Sequence, residues 1–402
     1  MKVNKWTASL AALGLISIPA TSSAEEQLNQ MWTALSSTTI SGYVNTSIHW
    51  NLGTGNSSVP GYAFNSGKQD GFNLDVAKIA IAKPLDESQW SAGYNVELIY
   101  GQDARSLGTT LDSGGDSSAT AIKQAYVALR SPVGNGLDAK IGVFDTPIGY
   151  ETFDAHKNPN YTRSYGYTIE PTTHTGVLLS YQLCKFASAS AGVANTFGPK
   201  IDERAPNESY KTYMGSLTLT APDDWGFVSG SSLSGCVING FNSGTASGGA
   251  NQTSLYVGAT MNTPWKWLKM GASYDYLGTT DHTYGSAPDT SWYANAFALY
   301  ASMTVNEKLS VHVRGEYADT DTALLGSDPN LSGGNSKVVA ATATVQYDLW
   351  KNVLSRLEFR WDHLAGDAQQ TNYGGTPNSG GGSSTGSLQN YYTIALNIIY
   401  KF

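Results

Sequence analysis

From Thr38 to the C-terminus, apolar residues recur at every second position rather than every third or fourth, the spacing of strands and not of helices. The last stretch is the clearest. Tyr392, Ile394, Leu396, Ile398, Tyr400 and Phe402 fall on one side, and Thr393, Ala395, Asn397 and Lys401 on the other. Leu357, Phe359 and Trp361 alternate in the same way with Arg356, Glu358, Arg360 and Asp362, and Val311, Val313 and Tyr317 with His312, Arg314 and Glu316. This period predicts strands at about 38–52, 72–84, 88–100, 120–132, 137–145, 174–184, 186–198, 210–221, 225–241, 252–263, 266–279, 290–305, 308–320, 337–350, 353–364 and 388–402.

The connections alternate long and short along the whole chain. Short ones are Leu85–Glu87, Pro132–Gly136, Lys185, Pro222–Asp224, Pro264–Trp265, Asn306–Glu307 and Lys351–Asn352; long ones include 53–71, 101–119, 145–173, 321–336 and 365–387. Up-and-down outer-membrane barrels segregate their turns and loops in this way, whereas Greek-key sandwiches have no reason to. The alternation then assigns faces. Arg356, Glu358, Arg360 and Asp362 on one face of one strand belong neither in a dry core nor in lipid, where a mid-bilayer Arg costs about 2–4 kcal/mol. They are expected to face water, and a barrel of about 16 strands leaves an aqueous channel.

Composition agrees. Charged residues are 14% of the 402, and Gly (43) and Tyr (24) are abundant. No apolar run in the mature part reaches the ~20 residues of a membrane helix. Residues 1–24 read as a secretory signal, with Lys2 and Lys5, an apolar Leu10–Ile18 core and a Ser22-Ser23-Ala24 cleavage site. Its removal takes away two lysines and no acid, so the net charge goes from −8 to −10. Residues 25–37 read as a short periplasmic segment with weak helical spacing, and 38–402 as a single barrel. Cys184 and Cys236 fall at a turn and deep in a non-adjacent strand, which argues against a disulfide.

One long connection differs from the rest. The stretch Phe144–His174 has two glycines, three prolines (Pro147, Pro159, Pro171) and six aromatic residues, while the other linkers are rich in Gly, Ser, Thr and Asn. Such a segment has little entropy to lose and much apolar surface to cover, so it is expected to be ordered, folded into the bore and narrowing it. Its candidate constriction residues are Asp145, Glu151, Asp154, His156, Lys157, Arg163, Glu170 and His174. Candidate pore-wall residues by strand alternation are Lys78, Glu97, Arg130, Lys140, His312, Arg314, Glu316, Arg356, Glu358 and Arg360. Acids on the segment facing basic wall residues would set a transverse field; equally, the same pairs would tie the segment to the wall. Tyr150, Phe153, Tyr161, Tyr165 and Tyr167 either anchor the segment or form a stacking path for sugar rings. Four acids against two permanent cations suggest a weak cation preference.

The run Lys123–Tyr181, the FNLDVAKIAIAKPL stretch from Phe72 and the aromatic C-terminal strand are similar to the OmpL-like family of β-barrel porins. That resemblance implies a bacterial outer-membrane location and a channel function, with outer-membrane lipids and small hydrophilic solutes as partners. The inward-folded third long loop of general porins has a similar position. Tyr400 and the terminal Phe402 resemble the signal read by the outer-membrane barrel assembly machinery. A homotrimer is common among 16-stranded porins, but no residue here fixes it.

The fold expected is thus all-β, a transmembrane up-and-down antiparallel barrel of about 16 strands. The function expected is an outer-membrane porin passing small hydrophilic solutes and ions by passive diffusion, with no catalytic residues, no metal and no cofactor. Alternatives are a substrate-specific channel of sugar or phosphate type, an outer-membrane enzyme such as a lipase or protease, and a structural barrel with a plugged lumen. For an enzyme, Gly382–Gly386 matches G-x-S-x-G but lies in a low-complexity loop, and the Gly134–Ala139 fingerprint precedes a strand, not a helix. The acidic balance and the lack of a basic stripe argue against nucleic acid as a partner.

Overall fold

The computed structural model describes residues 37–53, 59–109, 119–205, 210–241, 250–283, 291–320, 336–365, 373 and 388–402. The expected leader, residues 25–36 and the Gly382–Gly386 motif lie outside the described residues.

Sixteen strands form one closed antiparallel barrel in which each strand pairs with its neighbours in sequence and the first closes on the last. They are β1 (Thr39–Asn51), β2 (Gly71–Lys83), β3 (Ser91–Tyr100), β4 (Thr120–Ser131), β5 (Leu137–Asp145), β6 (Thr173–Cys184), β7 (Ala187–Ala194) and β8 (Thr212–Thr220). The second half comprises β9 (Ser232–Phe241), β10 (Ala250–Asn262), β11 (Leu268–Thr283), β12 (Tyr293–Thr304), β13 (Leu309–Thr320), β14 (Ser336–Trp350), β15 (Val353–Leu364) and β16 (Asn390–Lys401). Every strand expected from the period is present. Closure leaves no edge to satisfy, as spanning lipid requires. At the seam Tyr43 faces Lys401. There Gly42 and Phe402 exchange two backbone hydrogen bonds of 3.0 Å, and any side chain at 42 would strike the Phe402 ring and the Lys78 carbonyl.

Several boundaries moved, most of all at the ninth strand. The strand expected from 225 begins at Ser232, because Gly226 and Gly230 take left-handed backbone conformations and Gly226–Val228 forms a turn of 3-10 helix. Trp225 and Phe227 imitate a strand's alternation but stand exposed at the turn. The strand expected over 186–198 stops at Ala194.

The outer surface is apolar, with exposed Trp265, Trp267, Trp350, Tyr400 and Phe402 toward the turns and Trp50, Phe72, Tyr100 and Tyr213 toward the loops. Two aromatic belts are what the two membrane interfaces favour. Inward, Thr393, Ala395 and Asn397 of β16 and Arg356, Glu358, Arg360 and Asp362 of β15 are buried, so the faces alternate as read. One expectation fails in its detail. These charges turn to the bore but meet protein there rather than water. Cys184 ends β6 and Cys236 lies in β9, with β7 and β8 between them, and both are free.

Candidate functional site

What covers the inward charges is the connection between β5 and β6. It is mostly extended, with one turn of 3-10 helix at Ala155–Lys157 and a short helix α2 (Tyr165–Ile169). Ser164 caps α2, its Oγ accepting from the Tyr167 N–H at 3.1 Å. The helix that precedes it in the chain, α1 (Gln102–Leu107), lies in the connection after β3.

One side of the β5–β6 connection bonds to β13 and β15. The Arg314 guanidinium donates to Glu151 at 2.9 Å, to Glu316 at 2.6 Å and to the Thr162 carbonyl at 2.7 Å. Arg360 donates to Asp362 at 2.9 Å and to the Arg163 carbonyl at 2.7 Å, and lies 3.7 Å from the centre of the Tyr62 ring. Glu358 accepts from the N–H groups of Tyr161 (2.6 Å) and Thr162 (2.9 Å) and from the hydroxyls of Thr162 and Thr344. Arg356 donates to the carbonyls of Ala155 (3.0 Å) and Asn158 (2.6 Å). Arg314, Arg356 and Arg360 are at most 1% exposed. Buried charges are tolerated when their donors and acceptors are matched, and the alternating acids, arginines and loop carbonyls provide that match.

A second set of contacts reaches β2 and β3. Lys78 bridges Asp154 at 2.7 Å and Glu97 at 2.8 Å. Burial alone would raise the Asp154 carboxyl, but Lys78 and Lys157 bring it well below the usual carboxylate range. At the far end of the connection, burial and the neighbouring Asp275 carboxyl hold Glu170 well above its ordinary value. Apolar residues fill the remainder. Ile148, Tyr165 and Ile169 join Leu178, Met214, Ile238, Tyr256 and Leu277 from β6 and β8–β11 in one cluster, and Phe153 and Ala155 join Val76 and Ile99 in another. The aromatics of the connection therefore anchor it. Tyr165 donates to Asp362 at 2.8 Å, and Tyr150 stacks on Tyr300 at 4.0 Å.

The other side of the connection keeps contact with solvent. Thr152 and Lys157 are exposed, Lys157 by 59% of its side chain. On the wall, Asp145 is 44% exposed, held by Lys123. The turn-side half of β7–β10 presents inward Ser188, Ser190, Ser216, Thr218, Ser234 and Thr260. Several of these hydroxyls bond across strands, Ser190 to Ser216 at 2.5 Å and Thr218 to Ser234 at 3.0 Å. The inward surface thus has a charged part covered by the connection and a neutral part that carries these hydroxyls.

Of the residues singled out by sequence, Glu151, Asp154, Arg163, Lys78, Glu97, Arg314, Glu316, Arg356, Glu358 and Arg360 come together in this covered part. His156 lies against Tyr43, and Lys157 bonds Asp154 at 2.8 Å. His174 is buried beside Phe144, and His312 bonds Ser302 at 2.9 Å. Two wall candidates do not touch the connection. Arg130 pairs with Asp138 on β5 at 2.6 Å, and Lys140 lies over the Tyr126 ring. Sequence reasoning missed Lys68, Asp75, Asp103, Lys123 and Asp275, and read Asp362 as inward-facing without placing it among the wall candidates. Lys68 bridges Asp75 at 2.8 Å and Asp103 at 2.6 Å, joining the first two long connections beneath the third.

Gly134 and Gly136 sit in the turn before β5, as expected of a turn and not of a nucleotide cradle. Among the described residues, no three His, Cys, Asp or Glu side chains are placed to hold a metal ion.

Known structures share the fold. The anion-selective porin from Comamonas acidovorans is 14% identical with a TM-score of 0.61, covering 91% of this chain and 99% of its own. The outer-membrane channel DcaP of Acinetobacter baumannii is 15% identical with a TM-score of 0.57, covering 91% and 97%. OmpT of Vibrio cholerae in its trimer form is 12% identical with a TM-score of 0.55, covering 91% and 99%. No curated protein sequence matches the chain. The family described as "Putative beta-barrel porin-2, OmpL-like" matches residues 37–402, and the chain belongs to it.

Proposed function

We propose that this porin passes small hydrophilic solutes and ions through a crescent between the 146–172 segment and the inward faces of β4–β10, with that segment as its narrow section. The observation that carries this reading is the two-sidedness of the segment. One side is fixed to β13 and β2 by buried ion pairs and to β15 by hydrogen bonds, while on the other Thr152 and Lys157 are exposed to solvent. In this reading the fully buried pairs anchor, and filtering falls to the charges still in contact with solvent, Lys140, Lys269 and the exposed members of two pairs, Asp145 (with Lys123) and Lys157 (with Asp154). Glu151, Asp154 and Glu170 have their carboxylates occupied, and Asp145 is matched by Lys123. That supports a weak anion preference, opposite in sign to the count of charges along the segment. Tyr400 and Phe402 serve as the assembly signal at the seam, residues 1–24 as the export leader, and a homotrimer is the assembly, the form in which OmpT of Vibrio cholerae was solved.

The reading is tested by the reversal potential of the purified channel across a KCl gradient. Chloride is expected to lead modestly, and Lys140→Glu to move the potential toward potassium. A wild-type channel that prefers potassium, and that Lys140→Glu leaves unchanged, would show that filtering charges lie elsewhere.

A further inference from the structure

Beneath the 146–172 segment, on the side of the short turns, lies a cavity of about 470 Å³. Its walls come from the segment (Tyr150, His156, Lys157, Asn158), from β11–β13 (Lys269, Tyr300, Ser302, His312) and from β14 and β15 (Gln346, Arg356). Among the described residues, no carboxylate lines it.

Three permanent cations border this space. Lys157 and Lys269 are exposed, and Arg356 is 1% exposed. Arg356 is unlike Arg314 and Arg360. Those two meet carboxylates, while Arg356 forms no ion pair among the described residues and donates only to neutral oxygens of Gln346, Ala155 and Asn158. A buried guanidinium matched by hydrogen bonds but not by charge leaves a positive field in the space beside it. The nearest acids are engaged elsewhere. Asp154 bridges Lys78 and Lys157, Glu358 faces Tyr161, Thr162 and Thr344, and Asp348 takes a hydrogen bond from Gln346. Two imidazoles add neutral hydrogen-bonding capacity. Burial pushes His156 down to about 4, so it is uncharged at neutral pH. His312 bonds Ser302 through Nδ1, and its Nε2 has no partner, nor has Nδ1 of His156.

We propose that this cavity is an oxyanion subsite, holding a small solute that bears a phosphate, sulfate or carboxylate as it passes the narrow section. Lys157 and Lys269 reach the anion with charge-assisted hydrogen bonds, the two imidazoles donate or accept beside it, and Arg356 supplies the field that favours its charge. The volume suits a small solute and excludes a polymer. This rests on the reading of the protein as a channel and adds a saturable step to it. A passive pore without the subsite carries phosphate in proportion to its concentration.

Inorganic phosphate is the probe, added from the short-turn side of single channels in a planar bilayer and titrated separately into the detergent-solubilised full chain by calorimetry. Chloride current is expected to fall to a plateau as phosphate rises, with a matching calorimetric isotherm. Lys157→Gln and Lys269→Gln each weaken the half-saturating concentration about tenfold, the loss of one charged hydrogen bond. Lys351→Gln removes one positive charge from the same mouth outside the cavity and is expected to leave it unchanged. Sulfate and acetate in place of phosphate report which oxyanion the subsite prefers. Current that falls without saturation and no isotherm would overturn the subsite while leaving the channel intact; no conductance at all would sink the channel reading itself. An equal loss in Lys351→Gln would assign the effect to general mouth charge and also overturn the subsite.

Discussion

Excising residues 149–168 and joining the ends with a short Gly-Ser linker is expected to raise single-channel conductance about twofold or more. The barrel should survive the excision. Its ladder runs unbroken from β1 through β16 without using any backbone group of this segment. What disappears is material docked against the wall, namely Tyr165 from the cluster with Leu178 and Met214, Phe153 and Ala155 from the cluster with Val76 and Ile99, and Glu151 against Arg314. Arg314, Arg356 and Arg360, now shielded, would then line open water, so chloride preference should rise together with conductance. An unchanged conductance with intact heat-modifiable barrel mobility would mean that the narrow section is formed by other parts of the chain.

The second large effect is expected from Arg314→Met. Methionine keeps much of the length but removes every donor, leaving Glu151 and Glu316 as buried acids, although Glu316 keeps a longer contact of 3.6 Å to Arg360. Breaking a buried pair in this way costs about 3–5 kcal/mol, largely because the surviving charge is stranded. The cost falls on docking of the segment rather than on barrel closure, since Arg314 bonds through its side chain to Thr162 and Arg163. Single channels should therefore flicker between narrow and wide levels. Trypsin should also cut after Arg163, which is 3% exposed in the docked segment. Adding Glu151→Gln and Glu316→Gln to Arg314→Met is expected to restore most of the docking by removing the stranded charges. If the triple variant flickers as much as the single one, the arginine acts through its loop-carbonyl bonds and not through charge balance.

The barrel was legible because period-2 alternation, even strand count and loop segregation all report the same architecture, and none depends on side-chain detail. The charged inward faces of β13 and β15 were legible for the same reason. Their environment was not, because alternation says which way a side chain points but not what it meets. The misses have a local cause. Asp75 and Lys123 are the extra residues of β-bulges, at the register shifts opposite Asn45/Thr46 and Glu97/Leu98. A bulge breaks the two-residue period and turns a neighbouring side chain inward, so each was invisible to the rule that found Lys78. Asp275 lies on an alternating strand between Tyr274 and Tyr276 and could have been read from it. Counting charges along 145–173 gave an excess of acid, but only the pairing with β2, β11 and β13 tells which of those charges still face solvent.

Thr152 offers the most direct test of a segment that docks within the bore and narrows it, because it is exposed between the buried Glu151 and Phe153. Thr152→Cys is made in a Cys184→Ser background, with Cys236 left buried in β9. Single-channel current is then followed during addition of a cationic methanethiosulfonate reagent. Docking in the bore predicts a stepwise, irreversible fall in conductance and a shift toward chloride. Rapid labelling that leaves both conductance and selectivity unchanged would place the segment outside the conducting path and contradict it.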